Sequence, residues 1–294
     1  MIVRKLRLAV TALAATAALG LVTAAPAAAT VSGDGGNRIG VLTYGAGAYV
    51  KEGGLSAPWT HERAAVSQLV LSGDRIGVLT DTGDAYVKEG GLSAGWVHEL
   101  AGVRQIALAG DRIGVLTLFG DAYVKEGGLS APWTHELAGV KELELSGNRI
   151  GVVTEGGDAY VKEGGLSATW THELAGVAGL DLSGDRIGVL TTGGDAYVKE
   201  GGLSAGWVHE LAGVSQLELS GNRIGVLTTA GNALVKEGGL SAAWTQVQQN
   251  TLQIALSGAR IGVVVANGDA YVKEGGLSAA WTHELAQVAE LALS

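Results

Sequence analysis

Apolar and polar residues alternate with a period of two along short stretches of the chain, and turn residues separate these stretches. In Val103–Leu108, the apolar Ile106 and Leu108 alternate with smaller or polar neighbours, which is the pattern of a β-strand. No window shows a 3.6-residue period long enough for a helix. The pattern therefore predicts an all-β protein.

One unit of this pattern contains four predicted strands. A Gly-Asp turn follows the first strand, and a second turn with Gly120 and Asp121 favours a hairpin between the second and third strands. A Gly-Gly-Leu-Ser-Ala loop joins the third strand to the fourth. The four predicted strands are Val103–Leu108, Arg112–Thr117, Ala122–Glu126 and Trp133–Leu137.

This unit recurs along the chain with a step of 37 residues. The heptapeptide Lys-Glu-Gly-Gly-Leu-Ser-Ala marks each copy. Four antiparallel strands in roughly 40 residues are typical of one blade of a β-propeller, whereas a linear β-solenoid would need atypical caps. The copies of the heptapeptide begin at Lys51, Lys88, Lys125, Lys162, Lys199, Lys236 and Lys273.

The phase of the repeat at the two ends distinguishes a ring from a solenoid. The last first-strand segment, Val288–Ser294, has no second strand after it, and the chain enters a second strand at Arg38 with at most a short stub before it. The C-terminal strand can therefore complete the first blade. This predicts a seven-bladed β-propeller whose ring is closed by the C-terminal strand joining the N-terminal blade.

The amino-terminal residues have the layout of a secretory signal peptide. Residues 1–7 are basic, residues 8–22 are apolar, and a small-residue cleavage site lies at 27–29. An uncleaved membrane anchor is the alternative, but the apolar run is shorter than the ~20 residues that a span needs. We expect removal of 1–29, a single domain at 30–294, a secreted, extracellular protein and no membrane insertion.

The charge balance limits the classes of partner. The chain has 20 basic and 29 acidic residues, and loss of Arg4, Lys5 and Arg7 with the leader leaves 17 basic residues, a net charge of −12. An acidic protein is not expected to bind nucleic acid or an anionic membrane surface. The absence of Cys excludes disulfide bonds, so the core must hold the fold.

The repeat resembles the tectonin and tachylectin-like repeats. The resemblance rests on Trp96–Val103, which reads Trp-Val-His-Glu-Leu-Ala-Gly-Val, and on its continuation to Tyr-Val-Lys at Tyr123–Lys125. It extends over the whole mature chain, and the leader resembles actinobacterial signal peptides. The resemblance implies a propeller fold and a secreted lectin or defence protein that binds cell-surface sugars. It assigns no individual sugar contacts.

The repeated Trp, Lys and Glu residues are the candidate ligand-binding residues. An indole ring is a platform for sugar C–H groups, and a Lys-Glu pair beside a flexible Gly-Gly loop offers a donor and an acceptor for hydroxyl groups. The alternatives are a ring of Trp packed between blades and a solvated strand end with a weak ion pair. The candidates are Trp59, Trp96, Trp133, Trp170, Trp207, Trp281, Lys88, Glu89, Lys125, Glu126, Lys162, Glu163, Lys199 and Glu200.

Two further repeated positions are expected to have structural roles. A His-Glu pair follows the Trp in every blade except the sixth, which has Gln246 and Val247 instead, and we expect the His to stack or to form a hydrogen bond. The Arg of Arg-Ile-Gly-Val is expected to pair with a turn carboxylate such as Asp74 or Asp111, or with a neighbouring blade. Ligand sites that use the sixth blade should be the weakest.

Two functions remain open at this point. The first is a multivalent lectin that binds cell-surface or extracellular glycans through repeated shallow sites. The alternative is a non-enzymatic scaffold that docks a protein on the propeller face or in the central channel. The chain has no long insertion and no unique cluster of carboxylates, His or Ser, so we expect no enzyme, no cofactor and no metal.

Overall fold

A computed structural model describes residues 37–294, and the predicted signal peptide at 1–29 lies outside these residues. Every regular element in this part of the chain is a β-strand. The 28 strands form seven four-stranded antiparallel sheets, which confirms the predicted all-β architecture with seven blades. No helix that could cross a membrane is present among residues 37–294.

The strands of each blade follow one another along the chain, except at the ring closure. Blade 1 contains β1 (Arg38–Thr43), β2 (Ala48–Glu52) and β3 (Thr60–Arg63); blade 2 contains β4 (Val66–Ser72), β5 (Arg75–Thr80), β6 (Asp84–Glu89) and β7 (Val97–Ala101). Blade 3 contains β8 (Val103–Ala109), β9 (Arg112–Thr117), β10 (Ala122–Glu126) and β11 (Thr134–Leu137); blade 4 contains β12 (Val140–Ser146), β13 (Arg149–Thr154), β14 (Ala159–Glu163) and β15 (Thr171–Leu174). Blade 5 contains β16 (Val177–Ser183), β17 (Arg186–Thr191), β18 (Ala196–Glu200) and β19 (Val208–Leu211); blade 6 contains β20 (Val214–Ser220), β21 (Arg223–Thr228), β22 (Ala233–Glu237) and β23 (Thr245–Gln248). Blade 7 contains β24 (Thr251–Ser257), β25 (Arg260–Val265), β26 (Ala270–Glu274) and β27 (Thr282–Leu285), and β28 (Val288–Leu293) returns to blade 1.

The C-terminal strand closes the ring as predicted. Strand β28 pairs antiparallel with β1, and Ile39 lies opposite Leu293 while Val41 lies opposite Leu291. Strand β28 also contacts the first strands of blades 7 and 2. The first strands of all seven blades therefore form a continuous inner ring, and the fourth strands form the outer edges.

The apolar core lies between adjacent blades. One cluster, for example, combines Val70 and Val87 of blade 2 with Ile106 and Leu108 of blade 3. The Gly of each Arg-Ile-Gly-Val segment makes room for Leu or Ile side chains of the following blade. A methyl group added at Gly114 would lie 2.8 Å from Leu143 Cδ2 in blade 4, so a larger residue would crowd this junction.

Side-chain amides connect neighbouring inner strands around the ring. The Gln105 side chain accepts a hydrogen bond from the Leu143 backbone N–H (3.0 Å) and donates one to the Leu143 carbonyl (2.6 Å). Gln68, Gln216 and Gln253 make the same pair of contacts with their next blades. These contacts satisfy buried backbone groups that no strand pairing reaches.

The antiparallel order of the strands gives the propeller two faces. The turns between first and second strands and the Gly-Gly-Leu-Ser-Ala loops lie on one face, which we term the loop face. The turns between second and third strands, and the connections between blades, lie on the other, which we term the hairpin face. The candidate ligand-binding residues therefore lie at or near the loop face.

Candidate functional site

The repeated Lys is buried at the junction with the preceding blade. Lys125 is 2% exposed, and its Nζ contacts Glu99 Oε2 of blade 2 and the Leu129 carbonyl. The Nζ also lies 4.9 Å from the centre of the Trp133 ring, within range of a cation–π interaction. Both charges are thereby removed from water. The corresponding ion pairs are Lys51–Glu284, Lys88–Glu62, Lys162–Glu136, Lys199–Glu173 and Lys236–Glu210.

The Glu of the same motif points to the opposite side of its strand, because successive side chains in a strand alternate between the two faces. Glu126 is about two-fifths exposed and accepts hydrogen bonds from Arg112 Nε (3.2 Å) and Nη2 (3.0 Å). The structure therefore brings Lys125 together with Trp133 but not with Glu126. The same separation holds for Lys88 and Glu89, Lys162 and Glu163, and Lys199 and Glu200.

The Arg of each Arg-Ile-Gly-Val segment connects two blades. Arg75 donates to Glu89 of its own blade (3.1 Å from Nη2) and to the Gly127 carbonyl of the next blade (2.6 Å). The expected contact with a neighbouring blade is confirmed. The expected pairing with a turn carboxylate is wrong. The carboxylate that bonds to Arg75 is that of Glu89, which lies directly opposite Arg75 in the sheet, and not that of Asp74.

The Trp residues form a ring of half-buried indoles near the loop face. Trp133 and Leu129 pack against the core shared by blades 2 and 3, and Trp133 retains part of its surface in solvent. Each Trp therefore contacts the junction core and the buried Lys while part of its surface stays accessible. The other members of the ring are Trp59, Trp96, Trp170, Trp207, Trp244 and Trp281.

The repeated His lies on the outer edge, and in blades 2 to 5 it makes the hydrogen bond that we expected. His98 Nε2 is 3.1 Å from Asp84 Oδ1, and its ring lies 5.0 Å from the Tyr86 ring in an edge-on arrangement. Hydrogen bonds from Thr82 and from His98 hold the pKa of Asp84 below its usual value. No group of three or more His, Asp or Glu residues within 37–294 is arranged to hold a metal ion.

One exposed apolar feature on the hairpin face did not emerge from the repeat pattern. Leu118 and Phe119 form the turn between β9 and β10, and they are 61% and 93% exposed. Phe119 is the only Phe in the chain. The equivalent turns of the other blades carry mostly polar or small residues, namely Tyr44-Gly45, Asp81-Thr82, Glu155-Gly156, Thr192-Gly193, Thr229-Ala230 and Ala266-Asn267.

Polar groups border this apolar turn. Arg104 Nη2 donates to Glu155 Oε1 in blade 4 (2.9 Å) and to the Val140 carbonyl (2.5 Å). Glu155 is 57% exposed, and Asp81 of blade 2 is also exposed. The hairpin face thus combines one protruding apolar turn with charged, mainly acidic, neighbours.

Comparison with solved structures shows the propeller fold. The chain is similar to PorZ, an essential bacterial surface component of the type-IX secretion system of Porphyromonas gingivalis, with a TM-score of 0.64 and 12% identity over 88% of this chain. That match covers 38% of PorZ, so this chain corresponds to little more than a third of that protein. The chain is also similar to human WBSCR16, with a TM-score of 0.62 and 13% identity over 80% of this chain and 86% of that one.

A yeast propeller gives a similar result. Prp20p of Saccharomyces cerevisiae, studied for its binding to Gsp1p and histones, matches with a TM-score of 0.62 and 10% identity over 76% of this chain and 79% of Prp20p. At these identities the likeness concerns the fold alone. No protein-family model and no curated protein sequence match this chain.

Proposed function

We propose that this protein is a non-enzymatic binding protein that docks a protein partner on its hairpin face. The exposure of Phe119 carries this proposal, since this aromatic residue is 93% exposed, whereas no other large apolar residue of the described chain exceeds the 61% of its neighbour Leu118. The predicted signal peptide at 1–29 supports an extracellular location for this interaction.

The apolar turn is suited to anchor an interface. Transfer of a Phe or Leu side chain from water into a partner contributes about 1.5–3 kcal/mol, and aromatic anchors dominate the binding energy of many interfaces. Phe119 and Leu118 are adjacent on a tight turn fixed by the Gly120 N–H, which donates to the Thr117 carbonyl (3.1 Å). A short rigid turn loses little conformational entropy when it enters a recess.

The surrounding charge indicates the chemistry of the partner. Glu155 and Asp81 are exposed on the turns of the two flanking blades, and the described chain is acidic overall. Opposite charges across an interface increase the rate and selectivity of association. The partner that fits best is a protein with an apolar recess bordered by Lys or Arg residues.

The structural neighbours support a protein ligand. One neighbour, Prp20p, has been studied for its binding to Gsp1p and histones, and the same protein, also called yeast RCC1, has been crystallised with Kap60. The shared fold makes protein recognition an available use of this scaffold, while the residues that perform it belong to this chain alone.

The test exchanges the turn of blade 3 for that of blade 5. The variant Leu118→Thr with Phe119→Gly reproduces Thr192-Gly193, so it keeps a turn that this repeat already accepts. Proteins retained by the immobilised wild type are identified, purified and titrated by calorimetry, and we expect one partner per chain and a loss of affinity of at least about tenfold in the variant.

Thr192→Ala serves as the matched control and should bind like the wild type. Equal affinity of the purified partner for wild type and the Leu118→Thr, Phe119→Gly variant would refute the proposal. So would the absence of any protein that distinguishes the two when both are folded by circular dichroism.

A lectin is the second candidate, favoured by the seven partly exposed indoles in equivalent positions near the loop face. A monosaccharide would stack on the accessible part of each indole, and its hydroxyl groups would bond to the adjoining Gly-Gly-Leu-Ser-Ala loop. Weak individual sites would combine on a glycan-coated surface through effective concentration.

Stoichiometry separates the two candidates. If the lectin proposal is correct, a glycan array gives hits, calorimetry gives several sugars per chain, and Trp133→Phe leaves the fold intact while it weakens one site in the set. The lectin proposal would be refuted if the folded protein bound no glycan. It would also be refuted if one glycan bound per chain with equal affinity in the wild type and in Trp133→Phe. The Leu118→Thr, Phe119→Gly variant should leave sugar binding unchanged.

A further inference from the structure

The junction between blades 6 and 7 departs from the other six. Lys273 occupies the same buried position as its six equivalents and is 2% exposed, but the outer strand of blade 6 places Val247 where the other blades have Glu. The Lys273 Nζ contacts the Leu277 carbonyl and lies 4.6 Å from the centre of the Trp281 ring. No carboxylate within the described chain forms an ion pair with it.

A second cation faces Lys273 from blade 6. The Arg223 guanidinium reaches across the junction to the Gly275 carbonyl, two residues from Lys273, and also bonds to Glu237 Oε1 (2.7 Å from Nε) and to the Gly258 carbonyl (3.1 Å). Burial lowers the pKa of Lys273, the positive charge of Arg223 lowers it further, and Glu237 opposes these effects. Glu274, the next residue, is paired with Arg260.

We propose that Lys273 is a reactive amine that forms an imine with small aldehydes. Its geometry provides what a nucleophilic Lys requires, namely burial against the Trp281 ring, a nearby cation and no carboxylate in an ion pair with the ammonium form. The Nζ lone pair attacks the carbonyl carbon, and a proton moves from nitrogen to oxygen to give a carbinolamine. Loss of water, which carries away the carbonyl oxygen and two protons, leaves the C=N bond.

Burial restricts the size of the aldehyde. Lys273 lies beneath the loop that begins at Gly275, in which Gly276, Ser278 and Ala280 are exposed and the residues between them are half-buried. Gly275 has a φ of 112°, a conformation open to Gly but not to most other residues. Because Lys273 is buried, the aldehyde that fits the proposal best is a one- or two-carbon one.

The chain contains its own matched controls. Six other lysines have the same heptapeptide, the same Leu carbonyl and the same Trp ring, and differ in having a Glu partner. Cleavage after Arg, which methylation of Lys does not block, distinguishes them, because the sequence between each repeated Arg and Lys is unique. The six controls are Lys51, Lys88, Lys125, Lys162, Lys199 and Lys236.

The experiment treats the folded full chain with limiting deuterated formaldehyde and cyanoborohydride at neutral pH and maps methylation by mass spectrometry. We expect Lys273 to be methylated at least about tenfold faster than each control, because a buried Glu holds the ammonium form of each control and no carboxylate forms an ion pair with Lys273. Equal rates for Lys273 and the controls would overturn the proposal.

Two substitutions test the cause. Val247→Glu restores the carboxylate, so methylation of Lys273 should fall to the rate of the controls. Glu136→Val reproduces the blade 6 residue in blade 3, so its partner Lys162 in blade 4 should gain reactivity while the remaining controls stay slow. Fast methylation of Lys273 in a folded Val247→Glu variant would contradict the proposed cause. An unchanged methylation rate of Lys162 in a folded Glu136→Val variant would also contradict it.

Discussion

A chain that ends at Gln287, without Val288–Ser294, should fail to form a stable folded monomer. Strand β28 supplies the inner strand of blade 1, and its Val288, Leu291 and Leu293 are fully buried. Each such side chain contributes about 1.5–3 kcal/mol, whereas a whole domain is stable by only about 5–15 kcal/mol. The truncation also leaves β1 as an unpaired edge.

Circular dichroism and size-exclusion chromatography provide the measurement. We expect the truncated chain to lack a cooperative thermal transition and to associate into larger species. A synthetic peptide of Val288–Ser294 added in trans should restore the transition by occupying the vacant position in blade 1, as strand addition does elsewhere. A peptide with Leu291→Asp and Leu293→Asp is the control and should restore nothing. A truncated monomer that melts like the full chain would show that β28 is dispensable.

The repeat made the fold predictable from sequence. The predicted second and third strands of the unit, Arg112–Thr117 and Ala122–Glu126, have the observed bounds of β9 and β10, because turn residues mark both ends. The fourth strand begins at Thr134, one residue after the predicted Trp133, because the Trp packs on the junction core before strand pairing starts. Local turn chemistry therefore fixed most strand boundaries.

The partners of the charged residues were less predictable. Alternation along a strand indicates that Lys125 and Glu126 face opposite sides, but it does not indicate what each side meets. The partner of Lys125 is Glu99, which lies 26 residues earlier in the preceding blade. Only the stacking of blades brings the two together, so the spacing of residues within one repeat could not reveal the ion pair.

The exposed turn at Leu118 and Phe119 was missed for a different reason. A comparison of repeats directs attention to positions that all blades share, whereas this feature occurs in one blade. Its signal was present as a Leu-Phe pair in a turn that is mostly polar or small elsewhere. The sequence shows that blade 6 diverges from the other blades. What this means for Lys273 follows only from the structure, in which the Glu of the other blades pairs with the buried Lys and blade 6 has Val247 instead.

Glu136→Val should destabilise the protein by about 3 kcal/mol, because it leaves Lys162 as a buried charge without its carboxylate. Both side chains are 2% exposed, so water cannot replace the lost partner. Chemical denaturation followed by tryptophan fluorescence gives the free energy of unfolding. The double variant Glu136→Val with Lys162→Met should recover most of the loss, since replacing both members of a buried pair by apolar residues is often close to neutral.

The natural junction between blades 6 and 7 sets the reference for this prediction. There Lys273 already faces Val247, and the lowered pKa of Lys273 means that the folded state binds its proton less tightly than the unfolded chain. Stability should therefore rise with pH through the window between the folded pKa of Lys273 and its ordinary value near 10.5. Glu136→Val should steepen this rise by adding a second such Lys, and Lys162→Met should remove the increment. A Glu136→Val chain as stable as the wild type at neutral pH, with an unchanged pH slope, would show that these ion pairs do not hold the blades together.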